Sequence, residues 1–254
     1  MKDKNNPDER LRLQVFLSRS GYCSRRKAMD LIFRGRVSVN GKIVREPSLL
    51  VAGGQDRVVA DGKEIGISRK QYILLNKPKG HVTTKADPFA AKTVMDLLPE
   101  NLRGLNPVGR LDKDTEGLLL LTNDGELAHQ LTHPKHTVDK TYHVKVKGAL
   151  SIVHRKKLEQ GITLEGRKTA PARIGRIRQG DNETELALTI HEGRKRQIRR
   201  MMEHLGCPVV SLKRLSLGPL SLGNLKPGCF RPLTPKEIDA LRKTARPVTR
   251  RGIK

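Results

Sequence analysis

The stretch Gly109-Arg110-Leu111-Asp112-Lys113-Asp114-Thr115-Glu116-Gly117-Leu118-Leu119-Leu120-Leu121-Thr122-Asn123-Asp124-Gly125 constrains this chain more than any other segment. Four consecutive leucines closed by Thr-Asn-Asp-Gly predict a strand buried on both faces and ended by a turn. The polar loop ahead of it carries the carboxylate of Asp112 beside Arg110. A polar loop delivered into an apolar frame is where a charged side chain tends to be held for chemistry.

Charge narrows which chemistry. Lys and Arg total 51 against 26 Asp and Glu, a formal net charge of +25 with a pI near 10.5. Solubility needs far less than that, so the surplus reads as the electrostatic footprint of a polyanion binder, most often nucleic acid. No apolar run approaches the ~20 residues that span a bilayer, and MKDKNNPDER lacks the apolar core of a signal peptide. No membrane association and a cytoplasmic location are therefore the expectation. Cys23, Cys207 and Cys229 are far apart with no C-x-x-C pair, which predicts small buried thiols in a reducing compartment, without zinc or disulfides. Trp is absent and aromatics make up 3% of the chain, so broad stacking platforms for single strands are excluded and each aromatic counts individually.

Patterning predicts a small module followed by a larger domain. Leu13, Phe16 and Leu17 have helical spacing and Gly21 stops them. Ser24 can cap a second helix whose Ala28, Leu31 and Ile32 share one face before Gly35. Val37 and Val39 then alternate, Asn40-Gly41 supplies a two-residue turn, and Ile43-Val44 returns. Residues 11–60 carry ten Lys/Arg and three Asp/Glu, with Arg25, Arg26 and Lys27 in the first turn of the second helix. Cations there oppose the helix dipole, a placement that makes sense beside phosphates. Ser24-Arg25-Arg26-x-Ala28, Leu31-Ile32, Gly35-x-Val37 and Val39-Asn40-Gly41 resemble the S4-like RNA-binding module over residues 11–58. That resemblance implies binding to structured RNA.

Residues 59–70 read as a linker, and 71–242 as the second domain. Its strand candidates are Tyr72–Leu75, Tyr142–Val146 and Leu186–Ile190, and its helices fall at 93–98, 126–132, 151–159 and 195–205. Thr234-Pro235-Lys236-Glu237 is a capping box that opens a last helix. Strands and helices do not alternate regularly, so the fold class is α+β with a mixed, mostly antiparallel sheet flanked by helices. Residues 243–254 carry five bases and no acid, and read as a disordered arm adding non-specific RNA affinity.

Four constellations occur in the second domain: Lys77-Pro78-Lys79-Gly80, the Asp112 loop, Lys140-Thr141-Tyr142, and Glu192-Gly193-Arg194-Lys195-Arg196-Gln197-Ile198-Arg199-Arg200-Met201. Singly, each has an ordinary structural explanation: a turn, an Asx motif, a strand aromatic, a solvated cationic helix face. In this order they resemble the pseudouridine synthases, specifically the RsuA/RluB group acting on ribosomal RNA, and the likeness spans about residues 11–240. The resemblance implies an isomerase that breaks the glycosidic bond of uridine, turns the uracil and rejoins it through ring carbon 5. Asp112 would be the catalytic carboxylate, as nucleophile or as base. Arg199 would be its ion-pair partner, and Tyr142 would stack on the flipped uracil and take part in proton transfer. Ile198 would wall the pocket. RNA contacts are expected from Arg25, Arg26, Lys27, Arg34, Arg36, Lys42, Lys77, Arg110, Lys140, Arg194 and Arg196.

A redox-neutral isomerisation requires no nicotinamide, flavin or metal, so no cofactor is expected. His129, His133, His136 and Asp139 are a scattered set whose helical spacing Pro134 interrupts, and they are not expected to hold a metal. The partner is ribosomal RNA, free or on an assembly intermediate, met by a monomer. Large-subunit 23S RNA is favoured by the wording of the Glu192–Met201 element, with small-subunit 16S RNA the alternative. A non-catalytic ribosome-assembly factor on the same fold, or a metal-dependent nuclease using Asp112 and Asp114, are the other classes.

Overall fold

The computed structural model describes residues 10–66, 69–85, 89, 91–133 and 135–244. The chain divides into two compact units, one running to Gln71 with Asn123–Gly125, the other comprising Tyr72–Thr122 and the chain from Glu126 onward. The basic arm expected at 243–254 falls outside the described residues from position 245, and so does the start of the chain before Arg10.

In the N-terminal unit, β1 (Arg10–Arg12) pairs antiparallel with β4 (Leu50–Ala52). Helix α1 (Leu13–Arg19) buries Leu13, Phe16 and Leu17. Helix α2 (Arg25–Phe33) buries Ala28, Leu31 and Ile32, and the Ser24 hydroxyl accepts from the Lys27 N–H at its start. Strands β2 (Val37–Val39) and β3 (Lys42–Ile43) form a hairpin, and Asn40 and Gly41 both have positive φ, 51° and 81°, as a primed two-residue turn requires.

The expected linker at 59–70 is corrected over most of its length. Strands β5 (Val58–Ala60) and β6 (Lys63–Ile65) complete a four-stranded sheet in the order β3-β2-β5-β6. Asp61-Gly62 turns this second hairpin, and Val58, Ala60 and Ile65 reach the same core as Phe16 and Leu31. Exposed Lys63 and Glu64 made the segment look like linker; the two-residue turn between short apolar runs was the signal against it.

The second unit is built on one large sheet. Its main path runs β13 (Arg173–Gln179), β14 (Glu183–Ile190), β10 (Lys140–Lys147), β15 (Val209–Leu217), β9 (Glu116–Thr122), β7 (Tyr72–Lys77), β17 (Phe230–Pro232). β15 and β9 are parallel and the other neighbours antiparallel, so the sheet is mixed and mostly antiparallel, and the fold is α+β as expected. Short strands β8 (Asn106–Pro107) and β16 (Leu220–Ser221) extend it, and β11 (Thr163–Leu164) pairs with β12 (Arg167–Lys168) apart from it. Helices α3 (Gly125–Thr132), α4 (Ile152–Gln160), α5 (Gln197–His204) and α6 (Pro235–Thr244) complete the unit.

Strand β9 is the leucine run, and all of Leu118–Leu121 are fully buried. Alternation sends Leu119 and Leu121 into a core with Leu75, Tyr142 and Met201, and Leu118 and Leu120 into a second core with Leu74, Leu127 and Leu241. A strand clamped between two cores is a rigid mount for the loop that feeds it. Gly117 permits the approach of β15: its φ is +107°, and a Cβ there would meet the Arg214 carbonyl oxygen at 2.3 Å.

Further segments depart from expectation. Residues 93–98 form a 3-10 turn, Val94–Leu97, with Thr93 and Asp96 as its capping box, in place of an α-helix. Pro99 holds Leu98 extended and stops propagation. Strands β13 and β15 were absent from the strand candidates: register shifts in both interrupt the alternation that would mark them.

At the far end, Thr234 and Glu237 close the expected capping box on α6. The Arg231 guanidinium, 2.6 and 2.9 Å from the Glu237 carboxylate, is the main reason that this acid is pulled down to about 2. A folded pKa below the free value of 4.5 means that the stabilisation is present above about pH 4.5 and lost as pH falls toward 2. Glu237→Gln is expected to cost ~1 kcal/mol at neutral pH, since the pair is partly solvated, and to flatten the acid limb of urea unfolding. An unchanged acid limb would assign that limb to other carboxylates.

Candidate active site

The loop from Val108 to Thr115 is fixed from several directions. Thr83 Oγ1 donates to the Leu111 carbonyl at 2.7 Å and accepts from the Leu111 N–H at 3.2 Å. The Thr115 N–H closes a tight turn on the Asp112 carbonyl at 3.0 Å, and the Gly80 N–H binds the Lys113 carbonyl at 2.8 Å. Lys77, at the end of β7, is fully buried beneath this turn. Its Nζ donates to the carbonyls of Thr115 at 2.8 Å, Pro78 at 3.1 Å and Lys113 at 3.4 Å. Burial pulls its pKa down to about 8, against the opposing pull of Asp114, Asp112 and Glu116.

Lys77 was expected to touch RNA, and that expectation is corrected. A fully buried ammonium spent on three carbonyls has no donor to offer a phosphate. Its role here is to tie the Lys-Pro-x-Gly turn to the Asp112 loop. Lys140 is likewise engaged inside the protein: its Nζ donates to Val138 and His191 carbonyls, and burial, then Arg214, lowers its pKa. Arg194 spends its guanidinium on the carbonyls of Arg167 and Lys168.

Asp112 and Tyr142 line one cleft of about 570 Å³, together with Arg110, Arg194, Arg196 and Ile198. That space is of the size that holds one small ligand or an extruded base. Leu111, Ile190 and Leu212 supply apolar wall. Tyr142 comes from β10 on the core side of the sheet and is only 8% exposed, so its ring is held by packing. The Gln197 amide, also buried, bridges Glu192 and the Arg194 N–H and fixes the turn into α5. Thr115 Oγ1, buried in the cleft wall, has no hydrogen-bond partner among the described residues.

Arg199 meets a different carboxylate from the one expected. Its Nη2 lies 3.1 Å from Asp114 Oδ2 and donates to the Asp114 carbonyl at 3.0 Å. Arg196 Nη1 lies 3.3 Å from both Asp114 oxygens. Asp112 has no ion-pair partner among the described residues; its carboxylate belongs to the cleft wall, whereas Asp114 engages α5 and the residue before it. The tight turn between them is the physical reason, since it sends side chains two residues apart in different directions. Asp114 escaped the sequence reading as an arginine partner, and its only signal was proximity to the other carboxylate.

Of the other expected RNA contacts, Arg34 is paired with Asp30 and Arg36 with Asp61. Arg25, Arg26, Lys27 and Lys42 are exposed on the N-terminal unit, and Arg110 on the second. These five have no acidic partner among the described residues. Replacing Arg25, Arg26 and Lys27 together by Gln should weaken rRNA binding. The slope of log affinity against log salt should become shallower by about one for each phosphate that is no longer neutralised. Binding titrations at several salt concentrations read this, and an unchanged slope would remove the first turn of α2 from the RNA interface. His129, His133 and His136 form a chain of ring contacts, and Asp139 pairs with Arg173.

Comparison with known proteins matches this architecture. Residues 71–204 fit the family model described as RNA pseudouridylate synthase, and residues 11–58 fit the S4 domain. The chain is 45% identical over 237 residues to ribosomal large subunit pseudouridine synthase B of Bacillus subtilis, covering 92% of this chain and 96% of that protein. It is 42% identical to an uncharacterized RNA pseudouridine synthase of Aquifex aeolicus, covering 92% and 94%. A crystal structure of a pseudouridylate synthase superposes with a TM-score of 0.65 at 35% identity, over 91% of this chain and 99% of that one. With its two domains matched in order and nearly full-length relatives on both measures, the chain belongs to the RNA pseudouridylate synthase family and carries an N-terminal S4 domain.

Proposed function

We propose that this enzyme converts a specific uridine of large-subunit ribosomal RNA to pseudouridine, with Asp112 as the catalytic carboxylate. The observation that carries the assignment is the shared cleft: one carboxylate without an ion-pair partner among the described residues and one buried aromatic ring, on walls that two distant segments build. The substrate class is supported by the Bacillus relative, whose name places its action on the large subunit.

The reaction balances without an external oxidant. The N1–C1′ bond breaks, the freed uracil turns, a C5–C1′ bond forms, and the proton on C5 is lost while N1 is protonated. Asp112 acts at the sugar or ring as nucleophile, or as base on the sugar, and both routes use an ionised carboxylate exposed to the cleft. Tyr142 offers its face to the extruded base, replacing stacking lost from the RNA. Lys77 and Thr83 keep the Asp112 loop from drifting while the uracil turns. Arg110 and Arg196 hold flanking phosphates, and the S4 domain supplies additional RNA affinity. The enzyme works as a monomer in the cytoplasm, on rRNA that is free or still assembling. Among the described residues no helix is long and apolar enough to cross a membrane.

The test uses rRNA transcribed with tritium at uracil C5, in the presence of chelator. Release of tritium, with pseudouridine mapped in the 23S RNA, is the expected result. Binding without release would leave an assembly factor standing, strand scission abolished by chelator would favour a nuclease, and a pseudouridine in 16S RNA would move the target to the small subunit.

A further inference from the structure

We propose that Asp114 is an internal stand-in for an RNA phosphate: its carboxylate holds Arg196 in the free enzyme, and a phosphate flanking the target uridine takes Arg196 over when RNA docks. The inference rests on the cleft being the uridine site. Arg196 lies on the cleft wall with Asp112 and Tyr142, whereas Asp114 is not part of that wall. Two arginines meet the Asp114 carboxylate, and they differ in how firmly they are held. The Arg196 side chain is 42% exposed, its carboxylate partner is 46% exposed, and its contacts are both 3.3 Å. A solvated pair of that kind is weak and screened by salt. The Arg199 side chain is 10% exposed and also donates to the Asp114 carbonyl, so it stays in place whatever the carboxylate does. One arginine is exchangeable and the other is fixed.

The backbone agrees with a presented side chain. Arg196 has φ +49°, in the left-handed region that costs an ordinary residue energy, at the position preceding α5. Arg110 shares the cleft wall, as does the exposed Lys195, and neither has an acidic partner among the described residues. RNA entering the cleft thus crosses four cations: Arg194, committed to internal carbonyls and Glu192, then Arg110, Lys195, and Arg196, which stays neutralised until a better anion arrives. Arg196 meets Asp114 through Nη1 alone, whereas a phosphate can take the guanidinium bidentately in charge-assisted bonds, so the exchange favours RNA over the internal carboxylate.

The test is a double-mutant cycle on affinity for in vitro transcribed large-subunit rRNA at one salt concentration. Asp114→Asn keeps the shape and an acceptor for Arg199 while removing the competitor for Arg196. It is expected to tighten binding about two- to fivefold, equivalent to about 0.4 to 1 kcal/mol, and to do so only when Arg196 is present. In an Arg196→Gln background the same change should leave affinity within about 1.5-fold. Equal gains in both backgrounds would reveal a bulk charge effect and overturn the proposal, as would weaker binding by a folded Asp114→Asn protein. Thermal melts check folding, and Asp114→Ser, expected to follow the same pattern, serves as the second variant. Tritium release by the native enzyme on the same rRNA separates the two levels. No release overturns the uridine-site reading, whereas release without Arg196-dependent coupling overturns the stand-in alone.

Discussion

Asp112→Asn is expected to abolish tritium release from C5-labelled rRNA, by roughly 10⁴-fold or more, while RNA affinity stays within about threefold of the native value. The two side chains have the same shape, so the cleft should survive the change. What disappears is the negative charge and lone-pair basicity that either chemical route needs. Asp112 has no ion-pair partner among the described residues, so its replacement leaves no cation stranded by a broken salt bridge. The variant should therefore bind and melt like the native protein. Single-turnover assays with excess enzyme remove binding from the measurement, and substantial release in that regime would assign the chemistry to another group.

The second large effect is expected at Lys77, which touches no substrate. Lys77→Met should lower kcat by ~10²-fold or more, because misplacement of a reacting group by about 1 Å is enough for such a loss. Methionine fills much of the volume yet donates nothing, so the Thr115 carbonyl loses its 2.8 Å partner and the Lys113 carbonyl keeps only Gly80. Stability should fall by ~1–3 kcal/mol, the cost of a buried acceptor left unsatisfied, partly offset by removal of a buried charge.

Lys77 also gives a pH signature with opposite signs for stability and activity. Its folded pKa, about 8, lies below the free value of 10.5. Burying the charged form therefore costs stability below about pH 8, and that cost is relieved as pH rises from 8 toward 10.5. Activity should move the other way, with an alkaline limb near pH 8 as the cation beneath Asp112 and Asp114 discharges. In Lys77→Met that limb should vanish. An alkaline limb near pH 8 persisting unchanged in the variant would assign it elsewhere.

Much of this architecture is legible in local sequence. The leucine run announces a doubly buried strand, and β9 is one, because a continuous apolar run can be satisfied only with a core on each side. Helix starts at Ser24, Ser151 and Thr234 are carried by side chains bonding N–H groups three residues on, so they depend on nothing distant. The Asn40-Gly41 turn is equally local. Strands β13 and β15 were hidden because their register shifts erase the alternation by which strands are recognised.

The candidate site divides in the same way. The family resemblance that the motifs carry in their order singled out Asp112 and Tyr142, and both line the cleft. Which cation meets which anion was not legible. Arg199 reaches Asp114 across 85 residues, and its choice between two nearby carboxylates is made by the turn that the Thr115 N–H closes on Asp112. Lys77 and Arg110 are both basic residues in polar motifs, yet one is sealed beneath the loop and the other stands in solvent. Spacing along a chain encodes backbone periodicity, and with it helices, turns and buried strands. Burial and ion pairing depend on what folds over a residue from elsewhere, and here only the packing of β7, β9 and α5 around one tight turn decided them.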